Sequence, residues 1–307
     1  MDKGNHTTIE FIFIGFSAIP ELQFFLFASF LCIYNISMAA HMFLIVLYNL
    51  SSNLHTPMYF FLANFSFLEE CYISTITPNM LKNLLSNHKT ITFYGCAVQM
   101  YCFLLLGSAE CNLLAVMAYD RYNAICHPLL YNVIMSRNAC VKLIVSSWLI
   151  GLMVAIIQTF LTFSLHYCGP NKINHFYCDI APLMALACSD TRFNEIVIFM
   201  LVLCVVVGAF LLTIVSYTQI IWAILKHYSL AGFKKAFSTC SSHLIVVTIF
   251  YGSASVMYLR PKTSYGTDTD RFLSLMYTVI APLLNPFIYS LRNNDVKVAV
   301  KKMLKIA

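Results

Sequence analysis

Seven long apolar runs dominate this chain and leave few ways for it to fold. They fall near residues 23–50, 57–85, 93–126, 139–165, 195–226, 234–258 and 271–293. Each is long enough to cross a bilayer as a helix, which takes about 20 residues, whereas a barrel strand takes only about 9–11. The sixth is the weakest, because the polar stretch Ser238-Thr239-Cys240-Ser241-Ser242-His243 precedes its apolar part. Composition agrees: of 307 residues, 60% are hydrophobic and 10% charged, against roughly 45–50% and about 25% in soluble domains. A single soluble core cannot hide this much apolar surface. Disorder and a nucleic-acid-binding domain are excluded by the same balance, so no nucleic acid is expected as a partner. The expectation is an all-α, polytopic membrane protein. Its seven-helix transmembrane bundle covers 23–293, between an outer tail over 1–22 and an inner tail over 294–307 that forms a short amphipathic helix.

Two independent signals orient the bundle. Asn5-His6-Thr7 is a glycosylation sequon in a polar tail, which puts the N-terminus outside and, after seven spans, the C-terminus inside. The sequons at Asn35, Asn49 and Asn64 fall in or at the ends of spans and read as chance matches. Charge sorts the same way. The inner segments hold eleven basic residues against two acidic ones, Asp120 and Asp295, a net +9; the outer segments balance at eight of each. This obeys the positive-inside rule. Three acids, Glu69, Glu70 and Glu110, stay within spans. The first 22 residues lack a cleavable signal pattern, so the first span is expected to act as signal anchor.

Of twelve cysteines, Cys96, Cys168, Cys178 and Cys188 fall on the outer side. An even number in an oxidising compartment points to two disulfides, with three pairings open. Three of the four lie between the fourth and fifth spans, where they could pin a folded lid. A zinc site with His166 and His175 fits no usual ligand spacing. The other eight cysteines are expected to be free.

Several motifs share this frame. Asp120, Arg121 and Tyr122 end the third span, where an arginine can be held by its neighbouring acid or released to other partners. Asn285, Pro286 and Tyr289 sit in the seventh span, where a proline frees a carbonyl and permits a kink. Leu54 to Phe61 reads LHTPMYFF, and Met117 to Pro128 reads MAYDRYNAICHP. Ser216-Tyr217 ends the fifth span, Lys235 to Leu244 reads KAFSTCSSHL, and Pro282 to Asn293 reads PLLNPFIYSLRN. This ordered set resembles the olfactory (odorant) receptors of the rhodopsin-like G-protein-coupled class. Two positions depart from that family. Ala40-His41 stands where Gly-Asn is usual, and Asn123, on the side that would face a G protein, stands where valine is common.

The resemblance implies a plasma-membrane receptor and not an enzyme. A small volatile odorant and a stimulatory olfactory-type G protein that raises cyclic AMP would be its partners, with the lipid bilayer around it. It implies a cavity lined by Phe103, Leu104, Gly107, Ser108, Leu201, Val202, Val205, Tyr251, Ala254, Ser255, Tyr258 and Thr278. By spacing alone the same residues fit ordinary helix packing. This set carries hydroxyls and no charge, which points to a neutral ligand; Lys262 and Arg260 near the mouth could instead attract a carboxylate. Asp120, Arg121, Tyr122, Tyr217, Asn285, Pro286 and Tyr289 would form the switch, with Tyr251 as first relay beneath the cavity. Glu69 and Glu110 would meet at a mid-membrane pocket near Asn285, where two carboxylates share a proton, hold a sodium ion, or simply hydrogen-bond as a protonated pair. No other cofactor is expected. A transporter or pump is the rival reading of the buried acids. A retinal pump would need a lysine in the last span, and residues 272–291 contain none. No motif sets a nucleophile beside a base.

Overall fold

A computed structural model of the chain describes residues 10–15, 20–168, 171–227, 230–258, 268–291 and 294–306. The side chains of 20–21, 227, 230–239, 255–258, 268–270, 291, 294 and 304–306 lie outside that description. The first four long helices are Pro20–Leu50, Pro57–Leu85, Phe93–Cys126 and Arg137–Phe163. The fifth runs Arg192–Val202, through a π-helical turn Leu203–Val207, into Gly208–His227. The sixth is Leu230–Tyr258. The seventh joins Asp268–Leu275, a second π-helical turn Met276–Ile280, and Ala281–Leu291. An eighth helix, Asn294–Ile306, closes the chain.

The bundle has an apolar core threaded by polar groups and an apolar exterior, where a soluble domain would be polar. Glu69, Glu110, Asn285, His41 and His243 are buried, while Phe24, Phe25, Phe160, Trp222 and Leu225 are exposed on its flanks. That distribution suits a hydrocarbon solvent, in which polar groups must find partners within the protein. Among the described residues, Leu22–Leu50, Phe93–Cys126, Arg137–Phe163, Arg192–Lys226 and Arg271–Ser290 are long and apolar enough to cross a membrane. Within the sixth helix, Cys240–Ala254 forms a shorter apolar stretch. The second helix is diluted by Glu69, Glu70, Asn79, Lys82 and Asn83.

The third helix is the central strut, packed on the second, fourth and fifth. Gly151 sets its approach to the fourth: a Cβ there would lie 2.5 Å from the Leu105 carbonyl oxygen and 3.2 Å from the Ala109 nitrogen. Small residues allow this closeness in membrane bundles. In the seventh helix, Pro286 has no N–H for the carbonyl of Pro282, four residues back. His41 takes that carbonyl, donating from Nε2 at 2.9 Å, so the orphan created by the proline becomes a tie between the first and seventh helices.

One end carries a small sheet that composition did not reveal. Its order is β2-β1-β3, with β1 Glu10–Phe13, β2 Thr90–Thr92 and β3 Lys172–Ile173. β1 runs antiparallel to β2 and parallel to β3. Its alternation buries Phe11 and Phe13 and leaves Ile12 half-exposed, as a strand with one covered face requires. Part of the expected tail is thus a structural strand. At the other end, Val296 and Ala299 of the eighth helix are buried and Lys301 and Lys302 exposed, and Tyr59 donates to Asp295 Oδ2 at 3.1 Å.

Gly151→Ala is expected to wedge the third and fourth helices apart at a cost of about 1–3 kcal/mol. It should lower the melting midpoint of the detergent-purified protein; an unchanged midpoint would contradict this packing.

Candidate functional site

A cavity of about 750 Å³ opens between the third, fourth, fifth, sixth and seventh helices, beneath the sheet-bearing end. Phe103, Leu104, Gly107 and Ser108 form one wall, as their helical spacing requires. Leu201, Val202, Val205 and Ala254 face them, and Cys111 lies along the same helix toward the other end. Phe103 sits in an aromatic group, with ring centroids 5.0 Å from Tyr177, 5.6 Å from Tyr72 and 6.4 Å from Tyr277. Such rings give much apolar contact with a few polar edges.

The roof is a pinned lid. Disulfides join Cys96 to Cys178 and Cys168 to Cys188, with Cα separations of 5.6 and 5.9 Å. The other eight cysteines are free. Gln99 staples the lid to two helices: its Oε1 accepts from the Cys178 N–H at 3.0 Å, and its Nε2 donates to the Thr75 carbonyl at 3.1 Å. Asp179 caps the short helix Ile180–Met184, accepting from the Ile180 N–H at 2.8 Å. The lid also grips the seventh helix. Arg271 donates to the Gly15 carbonyl at 2.8 Å and to Asn174 Oδ1 at 2.6 Å. His175 Nε2 lies 3.1 Å from Ser274 Oγ, and the hydroxyls of Tyr177 and Tyr277 are 2.7 Å apart. Burial pushes the Tyr167 phenol above its ordinary range, so this lid residue stays neutral and donates to the Thr162 carbonyl at 2.8 Å.

Deeper in the bundle, Asn285 donates to Glu69 Oε1 at 2.5 Å. Glu69 Oε2 and Glu110 Oε2 are buried with no hydrogen-bond partner among the described residues. At the end opposite the lid, Asp120 accepts from the Tyr131 hydroxyl at 2.7 Å. Arg121 is not ion-paired with Asp120 and instead contacts the Met58 sulfur on the second helix. Tyr122 Oη and His127 Nε2 are 3.0 Å apart, and Tyr217 Oη and His243 Nδ1 2.8 Å apart. Tyr289 stands edge-on to Phe65, its hydroxyl without a partner among the described residues. Ser242 donates to the Ile288 carbonyl at 3.1 Å, just past Pro286.

Residues 30–306 match the profile of the olfactory receptor family. The chain belongs to the olfactory receptor family. Olfactory receptor 5AR1 of Mus musculus is 48% identical over 305 residues, 99% of this chain and 98% of that protein. Olfactory receptor 5AP2 of Homo sapiens is 51% identical over 301 residues, 98% of this chain and 95% of that one. The fold is similar to the crystal structure of squid rhodopsin, with a TM-score of 0.73 and 20% identity over 93% of this chain and 81% of that one. The protein is therefore a multi-pass, odorant-sensing G-protein-coupled receptor and not an enzyme.

Some expected positions fall elsewhere in this olfactory receptor. Tyr251 does not line the cavity. Its hydroxyl donates to the Cys111 carbonyl at 2.8 Å, and its ring packs on Phe210 and Phe250, leaving Phe250 on the wall. Thr278 is also off the wall, buried and donating to the Ser274 carbonyl at 2.6 Å. It lies in the π-helical turn, whose extra residue rotates the register and presents Tyr277 to the cavity instead. The side chains of Ser255 and Tyr258, and the whole of Asn5, Arg260 and Lys262, lie outside the described residues. Asn123, near the end of the third helix away from the lid, is buried and donates to the Tyr119 carbonyl of its own helix at 2.8 Å.

The wall is not free of ionisable groups either. Glu195 lines it and accepts from the Thr191 hydroxyl at 2.6 Å. The fifth helix begins at Arg192, and Glu195, at the edge of the expected run and counted there with the outer charges, lies in its first turn. Gln158 on the fourth helix is a further wall residue that the sequence reading did not single out. The available signal was a lone amide in an apolar run, since polar groups inside a membrane need a reason to be there.

Gln99→Leu removes both staples and leaves the buried Cys178 N–H without its acceptor, at a cost of about 1–3 kcal/mol. The variant should melt earlier and its lid amides should exchange faster. Native exchange rates around Cys178 would contradict the staple.

Proposed function

We propose that this receptor binds a small, mostly apolar volatile inside the bundle and activates a stimulatory olfactory-type G protein to raise cyclic AMP. The observation that carries the proposal is the cavity at Cys111, whose carbonyl holds Tyr251. A molecule pressing on this wall bears on a polar tie between the third and sixth helices. A ligand shifts the equilibrium only by binding one arrangement better than the other. In the active arrangement the sixth helix swings outward at the end opposite the lid. Arg121, Tyr217 and Tyr289 then exchange their present contacts to admit a G-protein segment.

The N-terminus and lid face outside and the C-terminal helix faces the cytoplasm. The sequon at Asn5 and the net +9 of the opposite segments support this. That positive face also suits an anionic leaflet.

Glu69 and Glu110 form a site for a sodium ion or a shared proton. Two carboxyl groups at this depth cannot both stay ionised without a cation between them. The partnerless Oε2 of Glu69, whose other oxygen holds the Asn285 amide, and the partnerless Oε2 of Glu110 support either occupant. A site of this kind would favour the inactive arrangement by neutralising the buried charge.

Arg121→Ala is expected to cut the cyclic AMP response to an active volatile at least tenfold with surface display retained; an unchanged response would sink the switch role. Sodium chloride should raise the melting midpoint of native receptor relative to choline chloride, and Glu110→Gln should abolish the difference. An equal sodium effect in both proteins would remove the ion from the account.

A further inference from the structure

The fourth helix presents Val154 and Gln158, one turn apart, to the ligand cavity. Gln158 is only 2% exposed. Its primary amide carries two donors and an acceptor, yet it makes no hydrogen bond to any described residue. The Ser108 hydroxyl, on the third helix and the same cavity, likewise makes none. Of the other polar side chains on the wall, Thr191 and Glu195 are bonded to each other, while Leu104, Ile198 and Val202 are aliphatic and offer the amide nothing. An amide left unsatisfied in such surroundings is costly, so its occurrence calls for a partner that comes from the cavity.

We propose that Gln158 is the polar anchor and a specificity-determining residue of the cavity. It selects neutral ligands with an oxygen acceptor, such as the carbonyl of a ketone, aldehyde or ester. The Gln158 amide N–H donates to that oxygen, and the Ser108 hydroxyl supplies a second donor. The ligand's hydrocarbon part lies along Phe103, Leu104 and the valines of the fifth helix. A bare alkane fits the same walls but leaves the amide unpaired. This inference rests on the odorant reading and names the ligand class of that site.

Two measurements test it. Purified receptor without added volatile is melted first. Gln158→Leu replaces a partnerless amide with an apolar group of similar size, so its midpoint is expected to equal or exceed the native one. A fall of several degrees would show that Gln158 holds the fold together through its own bonds, and would overturn the proposal. Second, cells with a cyclic AMP reporter receive an alkane, a methyl ketone and an acetate ester of matched chain length. The ketone and ester are expected to be more potent than the alkane on native receptor. In Gln158→Leu their half-effective concentrations should rise about ten- to a hundredfold at equal surface display, while that of the alkane, which no longer leaves an amide unpaired, should fall, so that the order of potencies narrows or inverts. Equal potencies in native and variant would overturn the proposal. Silence of native receptor to every neutral volatile tried would count against the odorant reading, while the melting result still decides whether the Gln158 amide is structural.

Discussion

The hydrogen bond from Tyr251 to the Cys111 carbonyl ties the cavity to the rest of the receptor. Cys111 belongs to the third helix, which runs unbroken from the lid to the switch. One end of that helix bears the Cys96–Cys178 disulfide and the Gln99 staple. Its middle forms the cavity wall and carries Glu110; its far end carries Asp120 and Arg121. A strut held this firmly cannot itself move far, so motion has to arise in what leans on it. The sixth helix leans on it through Tyr251, and on its neighbours through Tyr217–His243 and Ser242–Ile288.

Several interior polar groups in this bundle answer one another across helices. Pro286 orphans the Pro282 carbonyl, and His41 takes it. The histidine thus does interhelical work at the place where the family usually has asparagine, while Asn285 is free to bond Glu69. Asn123, the other departure, satisfies its amide on its own helix. Each departure thus gives at least one of its buried polar atoms a partner within the protein.

Much of this was legible in the residues. The apolar runs foretold the seven long helices because a spanning helix must be long and apolar whatever its neighbours are. The third-helix wall came from the family resemblance, with the helical period only putting its four residues on one face. Legibility failed where the period breaks. Each π-helical turn adds a residue and rotates the helix beyond it, which is how Tyr277 takes the place expected of Thr278. Glu195 was hidden because it is the first residue of its apolar run and counts with the outer charges, whereas the helix begins a turn earlier and sets it on the cavity wall. The strand Glu10–Phe13 is too short to show a pattern, and its pairing partners are distant in sequence. The disulfide pairing needed the lid's geometry, since four cysteines carry no pairing information by themselves.

The most direct test of the relay is ligand-free signalling by Tyr251→Phe, which keeps the ring packed on Phe210 and Phe250 and deletes the hydroxyl that binds the Cys111 carbonyl and Thr213. Cyclic AMP is measured in cells displaying equal amounts of native and variant receptor, before and after an active volatile. The account predicts a higher resting level in the variant and a smaller rise on stimulation. Resting and stimulated levels indistinguishable from native would contradict it.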